Sequence, residues 1–391
     1  MSTDYLHGVQ VLELNDGPRP IQTASTSVIG IVGTAPDADA NAFPLNTPVL
    51  IAGNMTEAAK LDPQDSGRGT LPQALDAIFD HCGAVIVVVR VEDDLNPATT
   101  LSNVIGGVDG ATGNYTGIQA LKAAKNVLGV KPRILCAPGF DHQEPVITSL
   151  VSLADTLRAM VYASGPNTVD ADAITLRNKF GSKRLYICDP WVNVWDTVSD
   201  GYITQPPSAR LAGLRAKLDN EQGFWHSISN KLINGVAGTS RHIDFELGNK
   251  ASRANLLNEQ HVGTIINEAG HRVWGPRNCS SDTKWMYECV ARSADIINDS
   301  ILAAHLWAVD EGINGPTYFN EVVASVNAYL RHLKSIGAIV NGECWADPEL
   351  NTPANIAQGK TYFDFDFTPV YPAESVTFRS LLTDRYLEEI F

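Results

Sequence analysis

Positive charge is scarce in this chain. Of its 391 residues 29 are Lys or Arg against 44 Asp or Glu, a formal charge of -15. A surface that tracks phosphates needs a basic stripe, so a nucleic-acid partner is excluded on composition. Long apolar runs are missing too. No window reaches the length of a membrane span, and the start, MSTDYLHGVQVLELNDGPRP, has neither a basic flank nor an apolar stretch of the kind that directs export, so a soluble cytoplasmic product without membrane insertion is expected. Six cysteines, Cys82, Cys136, Cys188, Cys279, Cys289 and Cys344, lie far apart with no C-x-x-C, which removes zinc ribbons and a secreted disulfide framework. Cys136 and Cys188 sit in apolar runs and read as buried thiols.

Catalytic signatures are lacking as well. GIVGTAP lacks the third glycine of a dinucleotide loop, no P-loop lysine motif occurs, and neither G-x-S-x-G nor H-E-x-x-H is present. His226, His242, His261 and His271 share no helix or strand face that would gather them round a metal. No cofactor and no metal is expected.

What is present is a strong α/β rhythm. SVIGIVGTAP and AVIVVVRV read as buried strands, LPQALDAIFDHC as a helix, and TGIQALKAAKNVLG as a helix closed by Gly129. Strand PRILCAPG, helix ITSLVSLADTLRAM, strand MVYASGP, helix ADAITLRNKFGS and strand KRLYICDPWV complete the series. Alternation from Ser27 to Val194 predicts a mostly parallel sheet covered by helices. Beyond Trp195 the spacing predicts a polar loop, a helix in SARLAGLRAKLDNEQ, short strands and turns from Gly223 to Arg277, and a long helix capped by Ser281 or Asp282. A second long helix, PTYFNEVVASVNAYLRHLKSIG, precedes two strands, GAIVNGECWAD and KTYFDFDFTPV, expected to neighbour each other.

The last of these strands sets Phe363, Phe365 and Phe367 on one face and Asp364 and Asp366 on the other. Two carboxylates one strand repeat apart could form an acid–base pair for glycosyl transfer or hold a hard cation. Thr368 stands where a chitinase-type signature places its proton donor, so the aspartates read better as a solvated face. The alternative is a soluble α/β enzyme acting on carbohydrate through Asp364 and Asp366.

GSKRLYICDPWVNVWD, QGFWHSISNKLINGVAGTSR, ANLLNEQHVGTIINEAGHRVWGPRNCSSDTKW, HLWAVDEGI and ECWADPELNTPANIAQGKTYFDFDFTPVYPAE resemble the tail sheath proteins of contractile bacteriophages, P2-like phages and R-type bacteriocins in particular. The resemblance spans essentially the whole chain. It implies a non-enzymatic subunit that polymerises as helically stacked six-fold rings around a tail tube and contracts to drive the tube through a target envelope. Implied partners are other copies of the chain, the tube protein, and baseplate and terminator proteins; the implied place is a virion tail or bacteriocin particle assembled in the bacterial cytoplasm.

It further implies an inner α+β domain built from the N-terminal end and the C-terminal half, with the α/β part inserted and facing outward. The expected divisions are 1–26 (arm and start of the inner domain), 27–200 (outer domain), 201–374 (inner core) and 375–391 (arm). Terminal arms would add strands to neighbouring subunits. Arm residues would be Val9, Val11, Leu12 and Leu14 at one end and Val376, Phe378, Leu381, Leu382, Tyr386 and Leu387 at the other, with the receiving sheet at Phe363, Phe365 and Phe367. The turn-rich stretches 15–20 and 368–374 would be hinges. Arg331, His332 and Lys334, near the end of the last long helix, are candidates to face the tube, with an ordinary surface helix the competing reading.

Overall fold

A computed structural model of the chain describes residues 19–197, 199–313 and 315–390. The central layer begins with β1 (Ile29–Thr34) and β2 (Pro48–Ala52), followed by the single turn α1 (Met55–Ala58), α2 (Leu71–Phe79) and β3 (Val85–Val91). Helices α3 (Pro97–Ile105) and α4 (Ala124–Leu128) lead to β4 (Ile134–Cys136), α5 (Glu144–Leu157), β5 (Met160–Ser164), α6 (Asp170–Asn178) and β6 (Leu185–Cys188). These strands form one sheet in the order β2-β3-β1-β4-β5-β6, parallel except for β2. The alternation of β1 explains its burial: Ile29 and Ile31 enter one core with Ile86 and Val88, while Val32 enters another with Val87, Val89 and Leu135. Each such side chain contributes about 1.5–3 kcal/mol when fully buried, so both faces hold the sheet.

Several expectations are corrected here. The expected helix over 116–129 is a 3-10 segment, Gly117–Ala123, followed by α4; Gly129 does close it, in a left-handed conformation at φ 73°. Helix α6 stops at Asn178, short of Gly181. The expected strand 183–192 divides at the cis Asp189–Pro190 bond: β6 stays in the main sheet, and β7 (Val192–Asp196) turns away to pair antiparallel with β8 (Gly201–Gln205) and β9 (Gly238–Thr239). The stretch expected to be a polar loop therefore contains a strand. The division expected at residue 200 falls in the β7–β8 turn, and a single core cluster draws residues from both sides of it, from Ile29 to Ala291.

Helix α7 (Ser208–Glu221) explains that continuity, because it packs on α2, β4 and β5. Gly213 lies so close to the backbone of Ile78 that a Cβ there would meet it at 2.9 Å, which permits the near approach of the two helices. Next come α8 (Arg253–Glu259), which the turn-rich composition concealed, and the hairpin of β10 (Thr264–Asn267) and β11 (His271–Trp274). Asp282 is indeed a cap, but of a 3-10 turn at Thr283–Trp285; α9 (Glu288–Ala304) begins later than expected, with Tyr287 in the cap position.

After α9, α10 (Pro316–Ser335) leads into β12 (Ile339–Ala346), α11 (Pro353–Ala357) and β13 (Phe363–Pro369). These close a third core of Ile296, Ile297, Val326, Leu330 and Leu333, on which Ile21 also packs. Beyond Pro369 the described chain is irregular apart from one 3-10 segment, Arg385–Ile390.

Candidate assembly interface

Strands β12 and β13 pair antiparallel, with Cys344 opposite Phe365 and Gly342 opposite Phe367, and among the described residues the sheet has no further strand. The outer edge of β13 thus carries backbone groups that an added strand could pair, whereas that of β12 is met at Cys344 by a side chain of α10. The two strands are held on α10 by Asn327, whose side chain donates to Cys344 O and accepts from Cys344 N, each at 2.8 Å. Phe363, Phe365 and Phe367 alternate with exposed neighbours and pack against the third core. Phe365 and Phe367 stack at 6.4 Å, and Phe363 meets Phe319 at 5.6 Å.

The two aspartates do not converge. Asp366 accepts the backbone N–H of Glu343 on the partner strand at 3.1 Å, which makes it a cross-strand strut. Asp364 instead faces Asp347; desolvation, and then the hydrogen bond and charge of Asp347, push its pKa up, while the N–H groups of Leu350 and Glu349 hold Asp347 low. Both aspartates lie on the exposed face. The large groove of about 870 Å³ is on the opposite side, floored by Phe363, Phe365, Val322 and Val326. No carboxylate pair of β13 therefore faces a substrate-sized space, and no group of three metal-ligating side chains occurs among the described residues.

The C-terminal segment offers the complementary feature. From Ser375 to Ile390 every described side chain is exposed, Phe378 at 93 % and Leu382 at 101 %, together with Val376, Leu381, Tyr386 and Leu387. Apolar groups so placed have no cover among the described residues of their own chain. The root of the segment is fixed: Glu374 makes a two-pronged ion pair with Arg277, at 2.7 and 2.8 Å, and accepts from Tyr287 Oη at 3.1 Å, while Tyr371 packs edge-on to Tyr287. Val9, Val11, Leu12 and Leu14 lie outside the described residues. The chain that follows them enters along the third core. Arg19 stacks on Trp307 at 4.1 Å, Ala24 N donates to Ser300 Oγ at 2.9 Å, and the hydroxyls of Thr23 and Tyr329 bond at 3.2 Å. Arg331, His332 and Lys334 lie in the last turns of α10, all three exposed, with Lys334 Nζ donating to Asn341 Oδ1 at 3.1 Å.

One feature of the fold escaped the sequence reading. Glu288, Arg292, Asp295 and Asp299 fall on one face of α9 and are buried under the N-terminal ends of the parallel strands. Glu288 accepts from Tyr162 Oη at 2.5 Å and pairs with Arg215, which also pairs with Asp219 at 2.8 Å; Arg292 shares Asp219. Arg184 pairs with Asp295, and Lys131, Arg133 and Arg158 surround Asp299. The opposite face of α9 presents Ile296 and Ile297 to the third core. The signal was available as charges spaced four, three and four residues apart, a stripe that ordinarily marks solvent.

A parallel α/β layer is thus joined by a charged helix to α10 and the β12–β13 pair, with an apolar C-terminal segment left exposed. Solved structures share this architecture: the helical sheath of the anti-feeding prophage in its contracted state superposes with a TM-score of 0.70 over 97 % of this chain and 99 % of that one, at 21 % identity. The sheath complex of an extracellular contractile injection system (PVC), also contracted, does so at 0.70, covering 98 % and 99 %, at 18 % identity. In sequence, the chain matches the tail sheath protein Gp18 domain III N-terminal region over residues 26–91, the phage tail sheath protein central domain over 113–279 and the phage tail sheath C-terminal domain over 280–383. It is 43 % identical to a putative prophage major tail sheath protein of Pseudomonas aeruginosa (strain UCBPP-PA14), covering 99 % of this chain and 98 % of the relative. With the tail sheath protein of Escherichia phage P2 the identity is 42 %, with the same coverage. The chain belongs to the phage tail sheath family.

Proposed function

We propose that this chain polymerises as helically stacked six-fold rings around a tail tube, and that the rings contract to drive the tube through a target envelope. The observation that carries the reading is the pairing of two incomplete features on one chain. An apolar segment, 375–390, is left uncovered by the described residues of its own body, and the outer edge of β13 has no paired strand among the described residues. Strand addition joins them: main-chain hydrogen bonds supply the hold and alternating side chains set the register. A contact of tail on one copy with sheet on the next is heterologous, and a heterologous contact that does not close propagates as a helix.

Residues 19–26 with 201–374 form the inner unit of this proposal, and the layer from 27 to 200 forms the outward one. The separate third core supports that division, and the shared core across residue 200 makes the joint between the units stiff. Tube contact falls to Arg331, His332 and Lys334; baseplate and terminator proteins bound the polymer, and the assembly forms in the bacterial cytoplasm. The work of contraction comes from the free-energy difference between two packings of the same subunits, with no nucleotide consumed.

The test is a chain lacking the residues after Thr377. It is expected to stay monomeric at concentrations where the full chain forms tubes by negative-stain microscopy; tubes of normal length from the shortened chain would sink the proposal.

A further inference from the structure

The groove of about 870 Å³ beside the hairpin is not explained by strand addition to an edge. Its floor is apolar, with Ile301, Tyr318, Val322, Val326, Phe363 and Phe365. Among its lining residues Leu302 is 65 % exposed and Val309 64 % exposed. Lys360, Arg158, Asp310 and Glu311 also line it. Arg158 already reaches Asp299 at 3.5 Å, but among the described residues none forms an ion pair with Lys360, Asp310 or Glu311.

We propose that this groove receives the terminal 3-10 segment, Arg385–Ile390, of a second copy of the chain. In a 3-10 turn side chains three apart eclipse, so Leu387 and Ile390 share one ridge, with Tyr386 flanking it. All three are more than half exposed, and a short helical ridge entering an apolar groove is a recurrent docking mode. Beside the ridge Glu389 is an exposed acid available to Lys360, and Arg385 is an exposed base available to Asp310 and Glu311. The segment lies outside its own groove. Its root is held at Tyr287, one residue before α9, while the groove starts at Asn298 near the far end of that helix. The inference rests on the strand-addition reading and extends it: residues 376–382 supply the added strand, and 385–390 lock it by burying a second patch.

Full-length chains carry the test. Leu387→Glu with Ile390→Glu alters only the ridge, and Leu302→Glu with Val309→Glu alters only the groove's exposed apolar lining; all four sites are exposed, and circular dichroism checks that each variant folds. Either pair is expected to raise the concentration needed for polymerisation at least about tenfold, since each removes two buried apolar contacts. A photo-reactive phenylalanine analogue at position 390, in a mixture of isotopically heavy and light chains, is expected to cross-link to 298–313 or 359–365 of the other isotope. Polymerisation of both variants at the wild-type concentration, while the chain cut after Thr377 stays monomeric, would overturn the groove and leave strand addition standing. If the cut chain polymerises as well, both readings fall. Cross-links confined to chains of one isotope would show the segment docking on its own body and also overturn the proposal.

Discussion

Asp141 is fully buried where the ends of β4 and β5 meet, accepting from Ala137 N at 3.1 Å and Ser164 N at 3.2 Å. Burial outweighs those bonds and pushes its pKa up to about 6, from an ordinary 3.8. The folded chain therefore holds this proton more tightly than the unfolded chain. The resulting stability is fully present below the unfolded value and is lost as pH rises through about 6. His81 acts in the opposite sense: buried, with Nδ1–H donating to Ala77 O and Nε2 accepting from Asn234 N, it is held at about 4, so its contribution is present above 6.5 and lost as pH falls through about 4. The two nearly cancel in the wild-type curve, and a difference measurement separates them. Between about pH 7.5 and about pH 4.5 the wild type should gain roughly 2 kcal/mol relative to Asp141→Asn in urea unfolding; an unchanging gap would mean that the carboxyl titrates normally. Buried charge on α9 makes a second prediction. Glu288→Ala strands Arg215 and Arg292 in the core with Asp219 as their shared acid, and should cost about 3–5 kcal/mol. Glu288→Gln keeps an acceptor for Tyr162 and should cost less, measured in the same way.

At the scale of elements, β13 separates a packing role from a chemical one. Phe365→Ala removes a half-buried ring from the third core and should lower monomer stability by about 2 kcal/mol, less than a fully buried ring would. Asp364→Asn with Asp366→Asn should leave stability and tube formation unchanged, because the amide oxygen introduced at position 366 would still accept from Glu343 N; outright loss of assembly would show that the carboxylates meet a basic partner. Periodicity made much of this layer legible. AVIVVVRV could hardly be anything but a doubly buried strand, and the long 3.6-residue repeat of α10 fixed its existence and its ends to within about two residues. What escaped depended on tertiary contact. Asp282 has the chemistry of a helix cap, yet the chain beyond it is drawn into a bridge between Arg277 and Tyr287, so α9 can begin only after that bridge. Its charged face was unreadable for a related reason: which face of a helix meets solvent depends on the basic residues that precede β4, β5 and β6, far away in sequence. The aromatic alternation of 363–367 was legible as a half-buried strand, but the groove it floors required α9 and α10 to be in place.

Across the whole molecule, the question is where a pull on the C-terminal segment enters the body. The turn residues of 368–374 invite a hinge there, but Tyr371 packs on Tyr287 and Glu374 is clamped by Arg277 and Tyr287, so the free segment starts at Ser375. Tyr287 is the cap of α9, and the next residue, Glu288, opens the buried ion-paired face against the sheet. In the contraction proposed above, force on the tail would pass through this clamp into the helix that joins the third core to the α/β layer, and the subunit would turn as a unit. Glu374 and Arg277 are each about a quarter exposed, so Glu374→Gln should change monomer stability by no more than about 1 kcal/mol. Its effect should appear in the assembly instead: amide exchange over residues 370–376 rises, and tubes form that are irregular in length or contract spontaneously. Reversing the pair, Arg277→Glu with Glu374→Arg, should restore both slow exchange and regular tubes, because the clamp needs opposite charges and not a particular order of them. Regular tubes from Glu374→Gln with exchange unchanged would place the load path elsewhere.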